Sequence, residues 1–422
     1  MDLLPNWLRA AAGAYLVGGC VRDLMIGRTP TDYDIVFLGD TPAYARLIAS
    51  AAGGRVVEIG KPAFRVWRVV TGRAIIDVAP AAGGSLDEDL RRRDFTINAM
   101  AVDTATSQLV DVTGGRTDLS AGTIRMVSDA AFRADPIRLL RAFRFASGLG
   151  FAIAPRTLAA IGRDADRIGQ SAGERIRDEL FKLLAASAAH PHVVGMHATG
   201  LLQAIFPGLV PSAGESALES IQAIESVLDG FGCFPPDLAG VLSEEFHEQR
   251  KVALKFAALL RPIAPPRQAG VIERLRLSKR DTARLESLIR PLAPLQEPAP
   301  ATGILSAEAL RFFQAAGNLT PDLLVQATAA SQVQSARPAT PPCDVPADII
   351  RMLRNYFFRY RPRALSRSPV TGQDLIREFG LKPSRRFKEI LDRVDEKRLS
   401  QENFTRAEAF ELIRAYLAGS RP

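Results

Sequence analysis

Leu16-Val17-Gly18-Gly19-Cys20-Val21-Arg22-Asp23 and, just downstream, Asp32-Tyr33-Asp34-Ile35-Val36-Phe37 read as a strand, a glycine turn, a short helix and a second strand. A Gly-Gly pair between an apolar strand and a helical run leaves backbone N–H groups open to close approach by a phosphate. Arg22, one turn into that helix, could add a charged contact. In isolation the pair reads more simply as an ordinary tight turn. Asp32 and Asp34 stand two apart on the second strand, so their side chains share a face. Two neighbouring carboxylates repel unless a cation lies between them, and hard oxygen ligands of this kind suit Mg²⁺. Asp77, in the apolar run Ala74-Ile75-Ile76-Asp77-Val78-Ala79, could arrive from a neighbouring strand as a third carboxylate of a two-metal site. Taken alone, a bare Asp-x-Asp is better explained by a turn cap at Asp32 and a solvent-facing Asp34.

Around this stretch the first 120 residues alternate short apolar runs (AYLVGG, YDIVFLG, GRVVEIG, FRVWRVV, AIIDVA) with Gly and Pro punctuation, the pattern of an α/β unit. Residues 41–52 are expected to form a helix between two strands. From about Ala130 apolar residues recur at helical spacing, and Pro136 suits a first helical turn. Two Pro-rich stretches, 290–303 and 331–347, read as connectors. The expected organisation is an α/β head over 1–120, a helical neck over 121–190, a helical body over 191–335 and a helical tail over 336–422.

The chain has 422 residues, with 54 Lys and Arg against 46 Asp and Glu, a net charge of +8. A basic surplus suits a polyanionic partner. Only 8 of the 54 cations are Lys. Arginine offers planar bidentate contacts to phosphate, although Arg- and Ala-rich composition is equally a mark of a GC-rich genome. The three cysteines, Cys20, Cys233 and Cys343, are far apart and form neither a disulfide framework nor a metal-ligand spacing, so a reducing cytoplasm is expected. The N-terminal segment lacks the pattern of a signal peptide, and no uncharged apolar run approaches the roughly 18 residues of a spanning helix. His190, His192, His197 and His247 give no metal-binding set.

Together, the glycine turn and the carboxylate pair resemble the class II tRNA nucleotidyltransferase and bacterial poly(A) polymerase family, within the polymerase-beta-like nucleotidyltransferases. Further matches follow in order. Arg92-Arg93-Asp94-Phe95-Thr96-Ile97-Asn98-Ala99-Met100 is similar to the family's second motif, and Asp111-Val112-Thr113-Gly114-Gly115 to its head–neck hinge. Asp135-Pro136-Ile137-Arg138-Leu139-Leu140-Arg141-Ala142-Phe143-Arg144-Phe145 is similar to the base-selecting neck motif, and Gly173-Glu174-Arg175-Ile176 to a later one. The series spans about residues 14–185. Thr199-Gly200-Leu201-Leu202 with Phe206-Pro207, and the run from Ser368 to Leu375, are weaker echoes.

The resemblance implies a polymerase-beta-like α/β head followed by all-α neck, body and tail. It implies an enzyme that adds C and/or A to the 3′ end of tRNA without a nucleic-acid template, using CTP and ATP and releasing pyrophosphate. Gly18, Gly19 and Arg22 would hold the triphosphate; Asp32 and Asp34 would bind Mg²⁺, with Asp77 as third carboxylate. Arg93 and Asp94 would contact ribose or phosphate. Asp135 and Arg138 would read the base, with Arg141 and Arg144 helping to hold the nucleotide. The chemistry of that reading is direct. These four residues recur every third position, which places them on one broad helix face. A carboxylate accepts from an exocyclic amine and a guanidinium donates to ring acceptors, the pattern that cytosine and adenine share. A solvated basic stripe is the plainer account of the same spacing.

Two departures stand out. Ala134 occupies the position where many relatives carry Glu. The segment between Asp77 and Arg92, VAPAAGGSLDEDLR, is shorter than the flexible loop that in the family is linked to switching from C to A addition. CC addition is therefore expected over full CCA addition, unless Gly83-Gly84 supplies the mobility. In the tail, Arg351, Arg354, Arg359, Arg361 and Arg363 are interleaved with Tyr356, Phe357, Phe358 and Tyr360, a composition that fits RNA backbone contact and base stacking and equally fits a helix with an aromatic core and an Arg-rich outer face. The competing functions are a poly(A) polymerase and, in another class, a non-catalytic RNA-binding protein.

Overall fold

The computed structural model describes residues 12–60, 65–290, 305–334 and 345–419. Most of both expected connectors, and Cys343, lie outside the described residues. Two compact units emerge. One holds the described residues up to Pro211 together with Pro265–Arg276; the other holds Ser212–Ala264 and the described residues from Leu277 onward.

The first unit begins with strand β1 (Ala14–Val17), helix α1 (Gly19–Met25), β2 (Asp32–Phe37), α2 (Thr41–Ala52), β3 (Arg55–Ile59), β4 (Val66–Val70), β5 (Ile75–Pro80), α3 (Leu86–Arg91), β6 (Met100–Asp103) and β7 (Leu109–Asp111). The expected helix over 41–52 and the five apolar strands are all present. Asp40 caps α2 through the Ala43 N–H and Gly53 ends it in a left-handed conformation. The strands form one mixed seven-stranded sheet in the order β3-β4-β5-β2-β1-β6-β7. β2 and β5 run parallel, and Asp34 stands opposite Asp77. The other neighbours are antiparallel. Tyr33, Ile35 and Val36 are buried while Asp32 and Asp34 are open, so the alternation of β2 turns both carboxylates to the same side.

After β7 the unit continues through α4 (Gly115–Ser120), α5 (Ala131–Ala134), α6 (Arg138–Leu149), α7 (Pro155–Asp164) and α8 (Gly173–Ala185). Helix α6 buries Leu139, Leu140, Ala142, Phe143, Phe145 and Ala146, and α8 buries Ile176, Leu180, Leu183 and Leu184. These stripes at helical spacing pack the two helices together. Burying an aliphatic or Phe side chain contributes about 1.5–3 kcal/mol, so this seam holds α6 against α8. The second unit is helical. Its last three helices, Gly372–Phe379, Arg385–Ser400 and Arg406–Gly419, close around Val370, Leu375, Ile390, Val394, Ala409 and Ile413. Among the described residues no helix is long and apolar enough to cross a membrane.

The turn that leads into α4 is built on Asp111, whose carboxylate accepts from the N–H groups of Thr113, Gly114, Gly115 and Arg116. Gly114 has φ +82° with open space beside it, whereas a Cβ at Gly115 would stand 2.2 Å from the Thr96 carbonyl oxygen. Gly115→Ala must therefore displace backbone and is expected to cost about 1–3 kcal/mol. Gly114→Ala carries only the left-handed strain of about 1–2 kcal/mol. Urea denaturation of both variants checks this, with Gly115→Ala the more damaging.

Candidate active site

The head side of the site is set by three neighbouring backbones. Gly18 sits between β1 and α1 at φ +81°, its N–H donating to the Met100 carbonyl at 3.3 Å. A Cβ there would stand 2.8 Å from Arg93 Nη1 and 3.6 Å from Asp34 Oδ2. Glycine thus lets the Arg93 guanidinium and the Asp34 carboxylate approach one spot at the start of α1. Asp34 has its pKa raised. Partial burial is the main cause, and Asp77 and Asp32 add to it against the opposing pull of Arg93. The negative charge of the pair is incompletely compensated, and its donors are hard oxygens; both features fit a divalent cation.

Asp77 is in a different electrostatic state. Arg68, its register partner on β4, donates from Nε to Oδ1 and from Nη2 to Oδ2, both at 2.8 Å. β5 brings Asp77 beside Asp34, with one acceptor site on each of its oxygens taken by the Arg68 guanidinium. Among the described residues no group of three or more His, Cys, Asp and Glu is placed to hold a metal ion. Cys20, behind the pair, is buried, donates to the Val17 carbonyl at 3.0 Å and has its thiol pushed up to about 11 by burial, so it stays protonated.

Arg22 is almost fully buried. It donates to Asn98 Oδ1 at 2.7 Å and to Asp23 Oδ1 at 2.7 Å. Asp94 is buried too, and accepts from the Phe95 N–H at 2.8 Å, Asn98 Nδ2 at 3.1 Å and Arg141 Nε at 2.9 Å. Burial alone would lift its pKa, but Arg141 and the two hydrogen bonds outweigh burial and hold it below the ordinary range. Arg141 also reaches Glu179 Oε1 at 3.1 Å, and Arg144 takes Glu179 Oε2 at 2.8 Å. The guanidiniums of Arg22, Arg141 and Arg144 gather around the Phe145 ring, at 5.1, 5.1 and 3.6 Å from its centroid.

The sequence pattern places Asp135 on one helix with Arg138, Arg141 and Arg144. The structure does not. Asp135 is extended (φ −150°) at the end of α5, and α6 begins only at Arg138. The cause is Pro136, whose ring disfavours the helical conformation for the residue before it. Asp135 instead forms a bidentate pair with Arg175 of α8, at 3.0 and 2.8 Å. Arg138 donates to the Arg93 carbonyl at 3.3 Å and the Ala131 carbonyl at 3.4 Å.

The comparisons with known proteins bear on this arrangement. A family profile described as the Poly A polymerase head domain matches residues 14–85 and 77–125, and one described as a probable RNA and SrmB-binding site of polymerase A matches residues 150–212. A CC-adding tRNA nucleotidyltransferase of Geobacter sulfurreducens is 34% identical over 96% of this chain and 94% of its own. The chain belongs to the tRNA nucleotidyltransferase and poly(A) polymerase family. An A-adding tRNA nucleotidyltransferase of Deinococcus radiodurans is 30% identical over 96% of the chain and 95% of its own length. Poly(A) polymerase I of Salmonella typhimurium is 33% identical over 53% of each chain. The solved Thermotoga maritima CCA-adding enzyme, complexed with tRNA, shares the fold with a TM-score of 0.66 at 22% identity, covering 96% of this chain and 91% of that one.

In this nucleotidyltransferase the structure brings together Gly18, Asp32, Asp34, Asp77 and Arg93 in the head, and links Asp94 through Arg141 to the neck. The sequence alone points to neither Arg68 nor Glu179, and it gives Arg175 no role. Glu179 lies four residues after Arg175 on an otherwise apolar stripe, which is the sign of a buried acid needing cations. Arg68 carries no such sign, because only the β4–β5 register reveals its partner.

In the second unit the five candidate RNA-binding arginines each have a partner. Arg351 pairs with Asp348, Arg354 with Asp237 at 2.8 Å and Arg361 with Glu245 at 2.7 Å. Arg359 donates to Asn355 and Arg363 to the Leu399 carbonyl. For Tyr356 and Phe357 the structure shows the second of the two readings, an aromatic core. Tyr356 and Phe357 are buried, Tyr356 lies against Phe313, and Phe358 is the exposed ring. The backbone is wound as a π-helix over Asn355–Tyr360.

The raised pKa of Asp34 has a stability consequence. The folded metal-free protein binds that proton more tightly than the unfolded chain, so its stability falls as pH rises from the ordinary carboxylate range through the raised value. Asp34→Asn removes this cost. At pH 8 without divalent cations the variant is expected to melt about 1–3 °C higher than the parent, with the gap closing toward about pH 4. Differential scanning calorimetry across pH checks this; a variant that melts lower at pH 8 contradicts it.

Proposed function

We propose that this protein adds cytidylate to the 3′ end of tRNA from CTP, releasing pyrophosphate, with Mg²⁺ held by Asp32 and Asp34. The observation that carries the reading is the Arg93–Asp94 step. Arg93 faces Gly18 and Asp34 on the head side, while its carbonyl receives Arg138 and the next residue, Asp94, receives Arg141 from the neck. One dipeptide thereby ties the carboxylate pair to the proposed base-reading segment.

Bound there, Mg²⁺ supplies positive charge that activates the 3′ hydroxyl and offsets charge on the leaving pyrophosphate. The chain's own residues do the rest. Gly18 and Gly19 allow a triphosphate close to the start of α1, and Arg93 Nη1 is placed to meet its charge. Arg22 acts through Asn98, holding the turn and the 93–98 segment in one geometry. Arg141 and Arg144, oriented by Asp94, Glu179 and Phe145, line the approach to the nucleotide. Asp135 spends one lone pair of each oxygen on Arg175 and keeps capacity to accept from the exocyclic amine of cytosine. Arg138, whose guanidinium has only carbonyl partners among its hydrogen bonds, is available to donate to the ring acceptors. Asp77, paired with Arg68, shapes the field at Asp34 from the neighbouring strand. The four-part division at 1–120, 121–190, 191–335 and 336–422 follows this assignment, with the arginines at 351, 354, 359, 361 and 363 beside Phe358 contacting tRNA, in the cytoplasm.

Cytidylate is favoured over adenylate by the segment after Asp77. β5 ends at Pro80, a 3₁₀ turn occupies Ala82–Gly84, and α3 begins at Leu86, which leaves no length for a loop that could enlarge the pocket. The similarity to a CC-adding enzyme across nearly the whole chain, against half a chain for the poly(A) polymerase, supports a tRNA end as the substrate.

The test is a tRNA transcript lacking CCA, incubated with CTP and ATP together and resolved at single-nucleotide length. The expected product stops after CC, and Asp32→Ala or Asp34→Ala lowers incorporation by at least about 10³-fold without changing tRNA binding. Efficient terminal A incorporation would replace CC addition with full CCA addition.

A further inference from the structure

The turn after β5 and the Arg93 side chain are joined by a residue that the mechanism does not use. Asp89, on α3, is buried. Its Oδ1 accepts from the Ala82 backbone N–H at 3.1 Å. Its Oδ2 accepts from Arg93 Nε at 3.0 Å and Nη2 at 2.9 Å. The two carboxylate oxygens thus face different clients, one the Ala82–Gly84 turn and the other the guanidinium. With Nε and Nη2 engaged, Arg93 is left with Nη1, the atom that lies against Gly18 near Asp34. Helix α3 makes this bridge stiff: Ser85 caps it through the Glu88 N–H at 3.2 Å, and the Asp89 N–H donates to the Ser85 carbonyl at 3.1 Å.

We propose that Asp89 is a positioning residue that locks the 82–84 turn to Arg93 and fixes which face of the guanidinium meets the nucleotide. The assignment rests on the cytidylyl-transfer reading for its kinetic consequence and on geometry alone for the lock. Without Asp89, the carboxylate that Arg93 Nη1 already faces across Gly18 is that of Asp34. Arg93 would swing onto that carboxylate and away from the triphosphate, and the turn would lose its tie to α3. A turn held this way cannot act as a lever independent of Arg93, so Asp89 confines the pocket to one shape.

The experiment compares Asp89→Ala and Asp89→Asn with the parent, first by amide hydrogen exchange on the full chain without nucleotide or metal. The Ala82 N–H is expected to exchange about tenfold faster in Asp89→Ala, as the loss of one charge-assisted hydrogen bond implies, while amides of β2 and β5 keep their rates. In CTP incorporation the KM for CTP is expected to rise about tenfold with kcat changed less than about threefold, since the lost contact orients bound triphosphate. Asp89→Asn can serve only one client as acceptor, so one of the two readouts should stay near the parent value. Unchanged Ala82 exchange together with unchanged KM in either folded variant overturns the proposal; if Asp89→Ala does not fold, Asp89→Asn decides alone. A parent enzyme that fails to incorporate CTP overturns the functional reading instead, and the exchange measurement still tests the lock.

Discussion

A buried carboxylate must be paired, and the charge of Asp94 organises this nucleotidyltransferase around that requirement. Removing one partner from a buried pair costs about 3–5 kcal/mol, so Asp94 requires a cation, and Arg141 of α6 supplies it. Arg141 in turn requires Glu179, and Glu179 takes Arg144. Asn98 closes the circuit, donating to Asp94 and accepting from Arg22 beside the glycine turn. One electrostatic constraint thereby registers α1, the second motif, α6 and α8 within a single unit.

That network also separates roles that look alike in the sequence. Of the many Arg–acid pairs, some are saturated and serve geometry, as at Asp94 and Glu179. Asp32 and Asp34 lie on an open face of β2, where the Asp34 pKa is raised despite the pull of Arg93. Asp77 has the same chemistry one strand away, but Arg68 neutralises it. The contrast between Asp34 and Asp77 rests on a cross-strand neighbour and not on residue type.

The legible part of the fold was whatever depends on local periodicity. The alternation at Asp32-Tyr33-Asp34 foretold two carboxylates on one face, and the helix over 41–52 carried its own cap and stop. What depends on pairing between distant segments was hidden: Arg68 opposite Asp77 across the β4–β5 register, and Glu179 beside Arg141 and Arg144 of α6. Asp135 is the instructive miss. A three-residue spacing suggested one helical face, yet the proline after it forces an extended backbone, and that local rule prevails over the period. In the tail, Tyr356 and Phe357 could not be told from a stacking surface by composition, because the ring that Tyr356 packs on, Phe313, lies more than forty residues away in the sequence.

The proposed reaction depends on where nucleotide and cation sit relative to Asp34 and Asp135. A crystal structure with Mn²⁺ and a non-hydrolysable CTP analogue, phased to show anomalous scattering, addresses this directly. The expected result is metal density bridging Asp32 and Asp34, Asp77 still paired with Arg68, Asp94 still on Arg141, and the cytosine edge against Asp135 and Arg138. Metal bound away from Asp32 and Asp34, or a cytosine remote from Asp135 and Arg138, would contradict it.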